Sequence, residues 1–323
     1  MTIHRHRGWH GVAGGLLLGY FADLLIGDPR RWHPVSGFGR AADLLERRTY
    51  QPTRQRGVLN ESILVGSVVA LGTLVQGWVR GSRWEMPTVA AATWVVLGGR
   101  SLEREALAVH AHLVAEDLPA ARQQIRNLVG RDTETLTAEE IARACVESLA
   151  ENCSDAVVAP LLWGAIGGTA GLLGYRAVNT LDAMVGHRTP RYTAYGWAAA
   201  RLDDVANWVP ARLATALTSL TAPLVGGSPH RVITIVRRDA SQHPSPNAGQ
   251  VESAFAAALG VRLGGLNTYD AVPEDRGVLG DGRDVAVADI LRAIRLARAV
   301  SLSSLIAVIS ARQAAIAAMP RHR

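Results

Sequence analysis

The sequence contains no lysine, so all 34 of its lysine-plus-arginine positions are arginine and the net charge of +6 rests on guanidinium groups. This absence excludes a Schiff-base lysine and a phosphate loop built around a lysine. Any phosphate bound here must be met by arginine, backbone N–H groups or a metal ion. Cysteine is nearly absent as well. Cys145 and Cys153 stand eight residues apart on one predicted helix, a rise of ~12 Å that no disulfide spans, and such a pair is compatible with a reducing compartment. Aromatic residues make up only 5% of the chain, and the arginines are interleaved with carboxylates rather than gathered in a stripe. Nucleic acid is therefore not an expected partner. The pairs His4/His6 and His110/His112 do not share a helix face and are not metal sites. No dinucleotide fingerprint and no nucleophile elbow occurs.

What the chain has in quantity is apolar sequence: 48% of its 323 residues are hydrophobic and the mean hydropathy is +0.11. Ser62–Val79 carries no charge and would be ~27 Å long as a helix, close to the thickness of a bilayer core. Residues 156–175 are also charge-free, with a glycine-rich centre suited to close helix packing. Pro87–Gly99, at ~20 Å, is short for a span. Gly11–Ile26 and Ala299–Met319 are largely apolar. The expected fold is all-α: one polytopic membrane domain over residues 1–323, with a polar helical insert at about 100–155 and a polar loop region at about 226–296. Strand alternation appears only at Arg231–Val236. Seven arginines between Arg30 and Arg56 precede the Ser62 run, which places that segment, and after a helical hairpin the polar insert, on the cytoplasmic side.

Glu147, Glu151 and Asp155 stand at i, i+4 and i+8 directly before the 156–175 run, fanned over ~80° of helix surface. Thr137-Ala-Glu-Glu140 reads as the capping box that starts their helix. Stacked carboxylates repel unless a cation sits among them. The spacing fits a metal-nucleotide or amine site, and equally a solvated face on which Arg143 pairs with Glu147. Arg176, Asn179 and Asp182 follow at three-residue intervals, and Arg201, Asp203, Asp204 and Asn207 repeat that chemistry. Arg201–Asp204 reads first as an ion pair. Ser245-Pro-Asn-Ala-Gly249 and Gly264-Gly-Leu-Asn-Thr-Tyr269 are turn-forming polar segments.

Taken in order, these stretches resemble the CobD/CbiB family of cobalamin biosynthesis, the membrane-bound adenosylcobinamide-phosphate synthases. The resemblance is carried by Gly19-Tyr-Phe-Ala-Asp-Leu-Leu-Ile-Gly-Asp-Pro-Arg30 with His33-Pro34, and by Glu147-Ser-Leu-Ala-Glu-Asn with Asp155. It continues through Tyr175–Gly186, Gly196–Trp208, Ser245–Gly249 and Gly260–Tyr269. Where the family commonly has Trp-Pro this chain has Gln250-Val251, and Leu266 stands where proline is common.

The resemblance implies a multi-pass protein of the cell membrane, with the lipid bilayer, adenosylcobyric acid and aminopropanol or its phosphate as partners. It implies ATP and Mg²⁺ as cofactors and amide formation at the propionate side chain f. A homo-oligomer is left open. On this reading Glu147, Glu151, Asp155, Asp203 and Asp204 are the expected catalytic carboxylates, the first three also binding metal. Asp28, His33, Arg40, Arg176, Asn179, Asp182, Arg188, Arg201, Asn207, Ser245, Asn247, Glu252, Arg262, Asn267 and Tyr269 are the expected substrate-binding residues. The competing reading is a membrane transport or sensing protein that binds a corrinoid without chemistry. It is disfavoured because the charge-free runs hold no ionisable residue at their centres.

Overall fold

The computed structural model describes residues 2–27, 33–187, 189–269 and 272–318, with side chains from residue 11 onward. In chain order the helices are α1 (Thr2–Ile26), α2 (Pro34–Thr49), α3 (Arg54–Val79), α4 (Glu85–Val96), α5 (Gly99–Val114), α6 (Leu118–Ile125) and α7 (Ala138–Cys153). After a π-helical turn at Ser154–Val158 come α8 (Ala159–Val185), α9 (Tyr192–Tyr195), α10 (Trp197–Ala206), α11 (Trp208–Thr221), α12 (Pro229–Asp239), α13 (Ala248–Leu259) and α14 (Asp289–Ala318). A two-stranded antiparallel hairpin, β1 (Leu263–Tyr269) and β2 (Val272–Leu279), interrupts the otherwise helical fold. The chain divides into two compact units: residues 1–98, 159–207 and 305–323 form the first, and 99–158 with 208–304 form the second.

One helix of the first unit, α3, is turned inside out relative to a helix of a water-soluble bundle. Along α3 the buried residues are Gly57, Asn60, Glu61, Gly72 and Gln76, a stripe at helical spacing. Val58, Leu59, Ile63, Leu71, Leu74 and Trp78 point outward and are exposed. A helix that hides its polar groups and shows its apolar ones is built for lipid. Three helical runs, Arg54–Val79, Ala138–Val185 and Asp289–Ala318, are long and apolar enough to cross a membrane. The Pro87 segment forms α4, only 12 residues long.

Gln76 joins three of the polar groups inside this unit. α8 breaks at Gly168, whose φ of 57° and ψ of −137° lie outside the helical region. The break deprives Thr169 of an intrahelical partner. Gln76 Oε1 accepts both the Thr169 N–H at 3.1 Å and its hydroxyl at 2.9 Å, while Gln76 Nε2 donates to Glu85 at 3.0 Å. A kink attributable to one glycine is thus held by one side chain of α3.

The second unit is organised around α13, in which every residue except Gln250 is buried. Phe255 and Ala254 sit among Ile141, Leu149, Ala214, Ile235, Ile290 and Leu296 from the surrounding helices. Segments 99–158 and 208–304, which include the polar insert read at about 100–155 and the loop region read at about 226–296, share one core.

One expectation about this unit is corrected, and the mainly helical expectation holds with one addition. Arg231–Val236 is not a strand: it lies within α12, where Val232, Ile235 and Val236 are buried at helical spacing. The all-α expectation omits the hairpin, whose strand β2 runs mostly exposed. Leu263 pairs with Leu279 and Tyr269 with Val272, with a register shift between Gly264 and Leu266. Gly264 has a φ of 76°, which a side chain would resist. The free cysteines Cys145 and Cys153 are both buried.

Candidate functional site

The capping box at the start of α7 forms as its sequence dictates: Thr137 Oγ1 accepts the Glu140 N–H and Glu140 accepts the Thr137 N–H. It fixes the helix that carries Glu147 and Glu151. Glu147 is buried, not solvated. One of its oxygens accepts the backbone N–H of Gly264 at 2.8 Å, and the other is ion-paired with Arg131. Arg143 lies 4.0 Å away. Arg131 also donates to Asn267 Oδ1 at 2.9 Å, and Arg143 to the same oxygen at 3.3 Å and to the Gly264 carbonyl. Helix α7, the chain after α6 and strand β1 are thereby locked by one network of two arginines, a glutamate and an amide.

Beside this network lies a carboxyl group with no hydrogen bond. Glu252 sits in the middle of α13, fully buried, and neither of its oxygens has a partner. His243 Nε2 stands 3.8 Å from Glu252 Oε1 and is also unpartnered. His243 Nδ1 lies 3.0 Å from the Ser245 N–H and 3.2 Å from the Ser245 carbonyl, so either ring tautomer has a backbone partner there. Burial, reinforced by Arg276, lowers the His243 pKa to about 4. Burial, reinforced by Glu147 and Glu151, raises the Glu252 pKa well above the usual carboxylate range against the opposing pull of Arg276 and Arg131. Burial disfavours the charged form of both groups, and neither the Glu252 oxygens nor His243 Nε2 has a hydrogen-bond partner in the protein. The guanidinium of Arg276 lies 5.3 Å from the Tyr269 ring centroid and completes the group. The physical result is a buried cluster in which Arg276 and Arg131 oppose the charge of Glu147 and Glu151 around Glu252.

Residues from two of the expected motifs meet here: Glu147 and Glu151 on α7, and Asn267 and Tyr269 on β1. Glu252 completes the meeting. Ser245 Oγ accepts the N–H groups of Asn247 and Ala248 ahead of α13, and Asn247 Oδ1 accepts from Arg212 at 3.2 Å. Arg262 is held elsewhere, in an exposed pair with Asp284 at 2.8 Å. Asp155 lies half-buried in the π-turn. Among the described residues no three His, Cys, Asp or Glu side chains, Glu147, Glu151 and Asp155 included, are arranged to hold a metal ion, and Glu147 is ion-paired with Arg131.

A second set gathers in the first unit. Asp203 on α10 accepts from Asn207 at 2.9 Å and Asn179 at 3.4 Å, and Tyr175 donates to Asn207 Oδ1 at 2.8 Å. Burial, with Asp182 adding like charge, raises the Asp203 pKa to about 7. Arg176 donates to Asn179 at 3.3 Å. Arg201 pairs with Asp204 at 3.5 Å as its spacing suggests. His33 caps α2, its Nδ1 accepting the Val35 N–H at 3.2 Å, and Arg40 is exposed. Asp28 and Arg188 lie outside the described residues. The expected catalytic carboxylates thus divide, with Asp203 and Asp204 in the first unit and the other three in the second.

The residues that sequence reasoning passed over are Arg131, His243, Arg276 and Glu61. His243 lies two residues before the Ser245 motif, and Glu61 is one residue before the run read as charge-free. Proximity to those boundaries was the available signal. Arg131 and Arg276 gave none.

The sequence profile described as CobD/Cbib protein matches residues 16–297. The chain belongs to the CobD/CbiB family. Its relatives include the cobalamin biosynthesis protein CobD of Mycobacterium tuberculosis (strain ATCC 25618 / H37Rv), 49% identical over 90% of this chain and 93% of that protein. CobD of Rhodobacter capsulatus is 40% identical over 85% of this chain and 90% of its own length. Cobalamin biosynthesis protein CbiB of Salmonella arizonae is 39% identical over 91% and 96%. No solved structure matches this CobD/CbiB chain.

Proposed function

We propose that this chain acts in cobalamin biosynthesis as a membrane-bound amide ligase. It joins the propionate side chain f of adenosylcobyric acid to (R)-1-aminopropan-2-ol or its O-phosphate, at the expense of ATP, on the cytoplasmic side of the cell membrane. The names of the relatives support the pathway. The observation that carries the chemistry is the buried pair of Glu252 and His243, whose carboxyl oxygens and Nε2 have no hydrogen-bond partner inside the protein, with the Arg276 charge acting on both.

A carboxylate is a poor acyl donor. In the proposed reaction an oxygen of the corrinoid carboxylate attacks the γ-phosphorus of ATP, the bond to the ADP oxygen breaks, and an acyl phosphate forms. The amine nitrogen then attacks the acyl carbon. The carbon–oxygen bond to phosphate breaks, phosphate leaves, and the nitrogen gives its surplus proton to water or a basic side chain. The protein must neutralise charge, align the reactants and keep water from the activated acyl group. Arg276, with His243 and Glu252, meets phosphate oxygens in this reading. Arg131 and Glu147 set the position of β1. The carboxylate of Glu151 suits a nucleotide-borne Mg²⁺, which takes one or two carboxylates with phosphate oxygens and water. When bound, the ion would offset phosphate charge.

The test is reconstitution. Detergent-purified protein supplied with adenosylcobyric acid, Mg-ATP and aminopropanol phosphate should form one amide per ATP consumed. Oxygen-18 in the corrinoid carboxylate should appear in the released phosphate. Amide formation without nucleotide consumption overturns the ligase mechanism. Corrinoid binding without amide formation, in protein shown to be folded, transfers the reading to transport or sensing.

A further inference from the structure

Helix α11, in the second unit, lies outside the three membrane-length runs. Its outer face is nevertheless apolar from end to end. Val209 and Ala216 are exposed and Leu213 is half-buried. Leu220 is 72% exposed, and Leu224, in the 3₁₀ turn Ala222–Val225 that extends the helix, is 67% exposed. These positions follow one another at intervals of three or four residues and so form one stripe. The polar side chains of the helix point the other way. Thr218, Ser219 and Thr221 are buried. The Ser219 hydroxyl donates to the Pro229 carbonyl at 3.0 Å and the Thr221 hydroxyl to the Leu217 carbonyl at 2.7 Å. A helix facing water carries the opposite arrangement. No arginine, aspartate or glutamate stands between Arg212 and Arg231.

One end of the stripe has a different chemistry. Trp208 is exposed, and the Arg212 guanidinium lies 4.2 Å from its ring centroid. Nη1 of Arg212 donates to the Trp208 carbonyl at 2.9 Å and to Asn247 Oδ1 at 3.2 Å, and among the described residues no carboxylate pairs with it. Tryptophan with a basic residue at the end of an apolar run marks the headgroup level of a bilayer. There a phosphate supplies the anionic acceptor that the protein does not. A second copy packed face to face on this stripe would bring no acid to Arg212, because residues 209–229 contain none. The bilayer is also at hand. Two of the three membrane-length runs, Ala138–Val185 and Asp289–Ala318, begin inside this unit.

We infer that α11 is a lipid-facing element of the second unit: phospholipid acyl chains cover Val209, Leu213, Ala216, Leu220 and Leu224, and a phospholipid phosphate meets Arg212 beside Trp208. Since α11 packs on α13, the helix that carries Glu252 then lies one helix away from hydrocarbon. This lipid contact requires no ligase activity.

The experiment uses the full-length protein reconstituted in phosphatidylcholine–phosphatidylglycerol nanodiscs. Spin labels are placed at Ala216→Cys, Leu220→Cys and Leu224→Cys. Asp284→Cys, at a largely exposed side chain, is the aqueous reference, and the parent protein gives the background from the buried Cys145 and Cys153. The ratio of oxygen to nickel-chelate collisions should be several-fold higher at the three α11 positions than at residue 284. Should Leu220→Cys fail to fold, Ala216→Cys and Leu224→Cys carry the test. A ratio equal to that of the aqueous reference overturns the inference. So do labels screened from both reagents and broadened by spin–spin coupling, which would place a second copy on the stripe. In a second measurement, phosphatidylcholine added to protein in maltoside micelles should raise the melting temperature, and Arg212→Gln should lose most of that rise. A variant that keeps the full rise overturns the phosphate contact.

Discussion

Glu147 on α7 accepts the backbone N–H of Gly264 on β1 at 2.8 Å, across 117 residues of sequence. Its other oxygen holds Arg131, which in turn holds Asn267 further along the same strand. A glutamate that looked like the first of three metal ligands is thus the anchor of a strand.

Two glutamates one helical turn apart should therefore respond differently to substitution. Glu147→Ala leaves the Arg131 guanidinium buried and unpaired, a loss of about 3–5 kcal/mol, visible as a large fall in the melting temperature of the detergent-solubilised protein. Glu151→Gln keeps size and should leave melting unchanged while lowering turnover by about two orders of magnitude, the range for losing one group that acts on developing charge. Near-normal turnover of Glu151→Gln at saturating Mg²⁺ would reduce Glu151 to a surface carboxylate.

The pair at the centre of the second unit sets a pH profile with two limbs. His243 is neutral in both folded and unfolded chains above its ordinary value of 6.5, so its contribution to stability is fully present there. As pH falls below 6.5 the unfolded chain takes up a proton that the folded one refuses, and the contribution is lost as pH falls through about 4. Glu252 acts in the opposite sense. Its contribution is present below 4.5 and lost as pH rises through its raised folded-state value. Unfolding scans from pH 4 to 9 should show the acid limb flattened in His243→Gln and the alkaline limb flattened in Glu252→Gln. Limbs that parallel the parent's would mean that both side chains are solvated.

Gly168→Ala should destabilise the first unit. A Cβ at φ 57° is strained wherever it points, and here it would lie 2.8 Å from Gln76 Oε1, the atom that holds Thr169. The cost should be about 1–3 kcal/mol, read as lowered melting. An unchanged melting point would show that the kink is not required.

The protein should partition with membranes and stay folded only in detergent or lipid. The outward residues of α3 motivate this, Trp78 being 85% exposed in the isolated chain, and apolar surface in water costs roughly 25 cal/mol per Å². A folded monomer recovered from the soluble fraction without detergent would contradict it.

The sequence disclosed whatever local physics decides. The α7 capping box, the Arg201–Asp204 pair, the membrane-length runs and the unbridged cysteines follow from spacing and composition, and the structure contains each of them. It hid what depends on distant partners. Glu147 meets its arginine only when the chain after α6 returns to α7. Glu252 becomes unusual only because α13 is buried on all sides. The hairpin escaped notice because β2, Val-Pro-Glu-Asp-Arg-Gly-Val-Leu, lacks apolar alternation and lies mostly exposed.

The polar stripe of α3 has a consequence for biogenesis. Asn60 and Gln76 find partners on segments synthesised later: Tyr195 for Asn60, Glu85 and Thr169 for Gln76. Released singly into lipid, α3 would face the hydrocarbon with groups that cost several kcal/mol each when unsatisfied. It should therefore linger at the insertion machinery until α4 and α8 have been made. A nascent chain halted shortly after Val79 should crosslink to the insertase, and one halted beyond Val185 should not. The order of synthesis then becomes part of how the acidic interior is assembled, with its carboxyl groups sheltered by protein before they can meet lipid.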